Sequence, residues 1–279
     1  MSSNVALASM SLTDVAYVDS ENDILRMYRF DGLKFSIVGN EFDLSGMGNP
    51  AITSLSATDL AFFDSINREL QIYRFDGLDW SLIGTGFSIP DGGFPSITTL
   101  NSTDIAYLNG SSDQLRTYRF GGTTWSLVGS GLSVTANVPA LAGLDGTDIA
   151  FIDDVNENLT TYRFNGSIWA TVGNALNIAG IGQVALAGMD ASNVAFIDTN
   201  NDELGTYSFD GSDWTLRGTS VIVAGVALSI ALSSPQAGEV FMVDSGLKLL
   251  QDFRSLIPNA SGDITPGLGR GGNFARLIT

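Results

Sequence analysis

Short apolar runs alternate along this chain with clusters of Gly, Asp, Asn and Ser, and the arrangement returns at an almost fixed interval. The string Tyr-Arg/Ser-Phe-x-Gly begins at Tyr28, Tyr73, Tyr118, Tyr162 and Tyr207, at spacings of 45, 45, 44 and 45 residues. A sixth, eroded copy has Phe253-Arg254 in its place. A repeat of this length is one supersecondary unit that buries its surface against its neighbours. In the second copy, Ala51–Leu55, Asp59–Asp64 and Leu70–Phe75 read as three strands, and Trp80–Ile83 begins a fourth. Aromatic and β-branched residues fill these runs and turn formers separate them.

Asp31-Gly32, Asp76-Gly77, Gly121-Gly122, Asn165-Gly166 and Asp210-Gly211 separate the third and fourth strands. Such pairs suit a two-residue type I′ hairpin, in which both turn positions need positive φ. That register sets Tyr73 opposite Trp80, and likewise Tyr28/Phe35, Tyr118/Trp125, Tyr162/Trp169 and Tyr207/Trp214. An acidic residue stands fifteen positions before each repeat arginine: Asp14/Arg29, Asp59/Arg74, Asp104/Arg119, Asp148/Arg163 and Glu239/Arg254. The fifth copy has Asn193/Ser208, so both charges are lost together. This covariation predicts structural ion pairs between the second and third strands. It also predicts a four-residue loop centred between Glu21 and Asn22.

Six four-stranded antiparallel units imply an all-β fold, a six-bladed β-propeller with a C-terminal tail. The blades fall at about 4–46, 50–91, 95–136, 139–180, 184–224 and 226–254, so the propeller spans 1–254. The tail, 255–279, is expected either to supply the outer strand of blade six or to dock on a partner. The segment from Tyr73 to Trp80 resembles the Tyr…Trp hairpin of kelch repeats, although Phe62-Phe63-Asp64 replaces the kelch double glycine. The Asp-Gly-x-x-Trp stretch is similar to the Asp-box of sialidase-type propellers. Both resemblances imply architecture and carry no catalytic residue across.

A net charge of −17, with Lys34 and Lys248 the only lysines, argues against nucleic acid and anionic membranes as partners. The chain has no cysteine and no histidine. Thiol chemistry, imidazole or thiolate zinc sites and Ser-His-Asp systems are therefore excluded. No export signal is apparent in the first residues, which predicts a virion or cytoplasmic location, extracellular after lysis.

The connectors between blades vary and are partly apolar, as binding loops on rigid scaffolds often are. Phe42, Met47, Phe94 and Ile181 are the candidate partner contacts there, with Phe274 and Arg276 in the tail. The loops between second and third strands are rich in oxygen ligands. Asp19, Asp23, Asp198 and Asp202 are candidates for calcium, although turn chemistry also explains them. No other cofactor is expected. The leading expectation is a non-enzymatic structural, adhesion or recognition protein, such as an accessory of a virion or other large assembly with a protein partner. A lectin-like glycan-binding propeller is the alternative. A sialidase-like hydrolase is a third reading, disfavoured because the arginines are paired with acids.

Overall fold

The computed structural model describes residues 4–90, 92–218, 220–223, 230–236, 239–244, 249–254 and 275–276. These form six antiparallel sheets arranged in a ring. Blade one contains β1 (Val5–Ser9), β2 (Asp14–Asp19), β3 (Ile24–Phe30) and β4 (Phe35–Asp43). Blade two contains β5 (Pro50–Ser54), β6 (Asp59–Asp64), β7 (Glu69–Phe75) and β8 (Trp80–Ser88). Blade three contains β9 (Pro95–Thr99), β10 (Asp104–Asn109), β11 (Gln114–Phe120) and β12 (Trp125–Ser133). Blade four contains β13 (Ala140–Gly143), β14 (Asp148–Ile152), β15 (Asn158–Phe164) and β16 (Trp169–Asn177). Blade five contains β17 (Val184–Gly188), β18 (Asn193–Asp198) and β19 (Glu203–Phe209), with a fourth strand broken into β20 (Trp214–Leu216) and β21 (Val221–Ile222). Blade six contains β22 (Ile230–Gln236), β23 (Glu239–Asp244), β24 (Leu249–Arg254) and β25 (Ala275–Arg276).

The innermost strands pack in a cycle, β1 on β5, β5 on β9, β9 on β13, β13 on β17, β17 on β22 and β22 on β1, which closes the ring. Six buried apolar clusters correspond to the six seams between adjacent blades. Each blade is therefore buried on both faces, so its second strand reads as an unbroken apolar run rather than an alternating one. On β6, Leu60 and Phe62 face blade one, whereas Ala61 and Phe63 face blade three.

The loop between second and third strands has the expected four residues, with Asp19 opposite Ile24. The turn between third and fourth strands differs from the type I′ expectation. Phe75 pairs with Trp80, and Tyr73 pairs with Leu82. The turn is a four-residue loop, Asp76 to Asp79, closed by the Asp76 amide donating to the Asp79 carbonyl at 3.1 Å. The cause is side-chain competition. Asp76 Oδ1 accepts the amides of Leu78 and Asp79 at 2.9 and 2.8 Å, which draws both residues into the turn. Asp31, Asn165 and Asp210 do the same. The cross-strand aromatic partner of each tryptophan is thus the repeat phenylalanine: Phe75–Trp80, Phe120–Trp125, Phe164–Trp169 and Phe209–Trp214.

Among the described residues four ion pairs are bidentate, with Nε and Nη2 of Arg29, Arg74, Arg119 and Arg163 donating to the two oxygens of Asp14, Asp59, Asp104 and Asp148. Each guanidinium is about half exposed, between 50% and 55%, so solvent screens the attraction. Glu239 lies opposite Arg254 in register; its Oε2 accepts from Gln236 at 2.8 Å, and the Arg254 side chain lies outside the described residues. In blade five, Asp190 accepts from Asn193 Nδ2, and Arg217 reaches Asn193 Oδ1 at 3.3 Å. The cation lost at Ser208 thus reappears on the adjacent segment.

Asp104 tests the energetic side of these pairs. The Arg119 hydrogen bonds hold its carboxyl below the ordinary carboxylate pKa, outweighing burial. A depressed folded-state pKa contributes stability that is fully present above the unfolded value, about 3.9, and is lost as pH falls through the folded value. The urea midpoint of Asp104→Asn should therefore fall below that of the parent at pH 7. The gap should narrow below about pH 3.5; an unchanged gap would mean that the carboxylate charge is not what stabilises this contact.

Candidate functional site

Two places in a propeller can gather side chains from several blades, namely the axis and the seams. The axial cavity, about 300 Å³, is lined by the six innermost strands. Its lining residues are Ala, Gly, Val, Leu, Ile, Pro, Ser and Thr, with no ionisable side chain among them. The hydroxyls are engaged locally: Ser9 donates to Ser233 at 2.9 Å, Thr53 and Thr99 pair at 2.8 Å, and Thr98 accepts the Gly143 amide at 2.7 Å.

The seams offer richer chemistry. Two positions before each repeat tyrosine, the third strand carries Arg26, Gln71, Arg116, Thr160, Gly205 and, before Phe253, Gln251. In the seam between blades one and two, Phe42 of β4 meets Tyr73 of β7 with ring centroids 5.1 Å apart. Tyr73 Oη donates to Gln71 Oε1 at 2.7 Å, and Gln71 Nε2 donates to Glu69 Oε2 at 3.1 Å. Between blades two and three, Phe87 meets Tyr118 at 5.6 Å, beside half-buried Arg116 and Gln114. Between blades six and one, Arg26 Nη2 lies 2.7 Å from Glu41 Oε1, next to Tyr17 and Tyr28, whose rings meet edge to face. The Glu41 side chain is 47% exposed.

Gly86 and Gly131 on the fourth strands make room for these groups. A Cβ at Gly86 would lie 2.6 Å from Glu69 Oε2, and one at Gly131 would lie 2.9 Å from Gln114 Oε1. Burial opposes the charge of Arg26, but the neighbouring Tyr28 hydroxyl and Glu41 carboxylate outweigh it and keep the guanidinium protonated. Burial, with Asp64 and Glu69 nearby, pushes the Tyr73 hydroxyl up to about 12. Tyr17, Tyr28, Tyr162 and Tyr207 are raised as well, chiefly by burial. Protonated tyrosines donate hydrogen bonds and make poor nucleophiles.

Met47 and Ile181, expected as partner contacts, are instead buried, 7% and 5% exposed, in the seams that follow blades one and four. The reason is a clamp that the connectors share. Asp23, Arg68, Asp113, Glu157 and Asp202 all adopt positive φ at the end of their loops. Their carbonyls accept the amides of Leu44, Ile89, Val134, Ile178 and Val223 at 2.7–2.9 Å. Each connector is thereby pulled into the seam. Phe42 is partly buried against Tyr73 and belongs to a seam groove rather than to a free loop. Phe94 is 42% exposed. Phe274 and the side chain of Arg276 lie outside the described residues.

The calcium candidates work as turn builders. Asp19 accepts the Glu21 amide and Asn22 Nδ2, Asp198 accepts the amides of Asn200 and Asn201, and Asp23 Oδ2 accepts the Gly46 amide. The Asp202 carbonyl holds Val223. Among the described residues no group of three or more acidic side chains is placed to hold a metal ion.

The grooves escaped the sequence reading because they sit inside strands, where the repeat itself drew attention to invariant positions. The available signal was the opposite one: a single inward position that changes from blade to blade within an otherwise constant strand.

No protein-family model and no curated protein sequence matches the chain. Solved structures do match in fold. A fungal lectin from Aleuria aurantia, described as a six-bladed β-propeller with a novel fucose recognition mode, superposes with a TM-score of 0.61 at 17% identity, covering 90% of this chain and 91% of its own. The SapL1 lectin, solved with α-methyl fucoside, gives a TM-score of 0.61 at 14% identity, covering 92% and 97%. A virginiamycin B lyase from Staphylococcus aureus gives 0.57 at 11% identity, covering 90% and 80%. These likenesses support the six-bladed fold; the kelch-like and Asp-box-like affiliations have no matching family model behind them.

Proposed function

We propose that this chain is a non-enzymatic, lectin-type recognition protein that binds glycans in the grooves between blades. The observation that carries the reading is the set of planar polar side chains, buried Arg26 with exposed Glu41, and half-buried Gln71 with Glu69 and Arg116 with Gln114, beside tyrosine and phenylalanine rings. Sugar hydroxyls need donors and acceptors held in fixed planes, and sugar C–H faces rest on aromatic carbon. The fucose-recognising propellers described above support the reading at the level of fold. A hydrolase or lyase would need an acid, a base or a nucleophile, and neither the axial lining nor the raised tyrosines favours one. The role in a virion or other assembly rests on no observation of the structure or its relatives.

A glycan array, with fucosylated and other neutral oligosaccharides, tests the proposal directly. The parent protein should bind, and Arg116→Ala should weaken binding at its groove by about tenfold or more, the scale of one lost charge-assisted hydrogen bond. A silent array, with and without calcium, would remove the lectin reading.

A further inference from the structure

We infer that the glycan sites are confined to one arc of the ring, the three consecutive seams that join blades six, one, two and three, and that they take neutral rather than acidic sugars. This rests on the lectin reading above and adds the number, location and charge class of its sites. Two features change together at the same boundary. The inward position of the third strand is a long planar donor at Arg26, Gln71 and Arg116, then shortens to Thr160 and vanishes at Gly205. The ring offered by the preceding blade is Phe42 and Phe87 in the second and third of these seams, and becomes Leu132 and Leu176 in the next two.

Room changes in step with chemistry. Gly86 and Gly131 admit the Glu69 and Gln114 side chains beside Gln71 and Arg116, Glu41 brings its own carboxylate to the matching place in blade one, and Ala175 occupies that place in blade four. In blade five the fourth strand breaks after Leu216, and the groups nearest Gly205 are the Leu216 methyl, which a Cβ there would meet at an ordinary 3.5 Å, and the Tyr207 ring, with no polar side chain in the place of Gln71 or Arg116. At the seam between blades five and six Gln251 is also long and planar, but Phe253 replaces the repeat tyrosine there and blade five packs only aliphatic and methionine side chains against it, with no ring. The three remaining seams adjoin one another, so they can engage neighbouring branches or chains on a glycan-dense surface. The combined strength would come from effective concentration rather than from any single site.

Charge selects among sugars. Glu41 and Glu69 lie in two of the grooves, and the chain as a whole carries −17. A sialylated or sulfated sugar would meet both the local carboxylates and this field, whereas a neutral sugar uses the same carboxylates as acceptors.

Native mass spectrometry under saturating α-methyl fucoside, beside an array carrying neutral and sialylated versions of the same glycans, tests the inference. About three ligands per chain are expected. Arg116→Ala should lower the count by one, the triple variant Arg26→Ala/Gln71→Ala/Arg116→Ala should lower it to none with an unchanged circular dichroism spectrum, and Thr160→Ala should leave it unaltered. Four or more ligands per chain, or ligands persisting in the triple variant, would overturn the confinement while leaving the lectin reading intact. Sialylated glycans bound as strongly as neutral ones would overturn the charge class. No bound fucoside together with a silent neutral array would bring down the lectin reading and this inference with it.

Discussion

Replacing Gly84 by alanine is expected to destabilise the propeller by on the order of 3 kcal/mol or more, roughly a 5–10 °C drop in melting temperature for a chain of this size. Gly84 lies in the outer strand β8 with φ +71, and Gly39, Gly129 and Gly173 occupy the same place in β4, β12 and β16 with φ between +66 and +71. At each of these positions the outer strand bulges, and the following amide donates to a carbonyl in the hairpin turn of the next blade. The bonds are Asn40 to Leu78 at 2.7 Å, Thr85 to Thr123 at 2.9 Å, Ser130 to Ser167 at 2.7 Å and Asn174 to Ser212 at 2.6 Å. A Cβ at Gly84 would overlap the Thr123 carbonyl oxygen. The substitution therefore combines a left-handed conformation disfavoured for any residue with a Cβ and a backbone collision that only parting of the seam relieves. Gly77 separates the two causes. It has φ +103 but nothing within 4 Å of its Cβ, so Gly77→Ala should cost only the conformational part, about 1–2 kcal/mol. Equal losses in the two variants would show that the seam yields to the added Cβ at no cost.

These glycines mark the limit of what was legible in the sequence. The period, the strand order and the pairing of Asp14 with Arg29 all follow from positions that recur, because recurrence reports contacts within one blade. The hairpin register did not follow. Asp76-Gly77 is compatible with a two-residue turn on backbone preference alone, and the Asp76 side chain, by accepting two amides, selects the longer loop. The burial of Met47 and Ile181 did not follow either, for a related reason. Met47 looks exposed in a loop of Ser and Gly, yet the left-handed residue Asp23, from a distant part of the chain, draws that loop into the seam. Candidate grooves were missed because they need the third strand of one blade and the fourth strand of another, a relation that no single repeat contains. Tyr118 and Phe87 are 31 positions apart, in consecutive blades, and only the packing of one blade on the next makes them neighbours.

The tryptophans lead to the second large effect. Their aromatic faces suggest sugar stacking, but Trp80, Trp125, Trp169 and Trp214 are 3–5% exposed and sit inside the seams. Trp125 packs on Phe120 at 5.3 Å and shares its cluster with Ile72 and Ile83 of blade two. Trp125→Ala should therefore cost about 3–5 kcal/mol, as lost transfer energy plus an unfilled cavity. The indole nitrogens refine the expectation. Trp214 Nε1 donates to Thr161 Oγ1 at 3.0 Å across the seam, whereas the buried Trp125 Nε1 meets no acceptor, because Ile72 occupies the position equivalent to Thr161. Trp125→Phe thus loses no hydrogen bond. Trp214→Phe loses one and strands a buried hydroxyl, an added cost of about 1–3 kcal/mol. Urea midpoints should fall least for Trp125→Phe, further for Trp214→Phe and furthest for Trp125→Ala. Glycan binding by Trp125→Phe should match that of the parent; a loss of binding without a loss of stability would move the sugar from the grooves onto the indole and displace the packing role argued here.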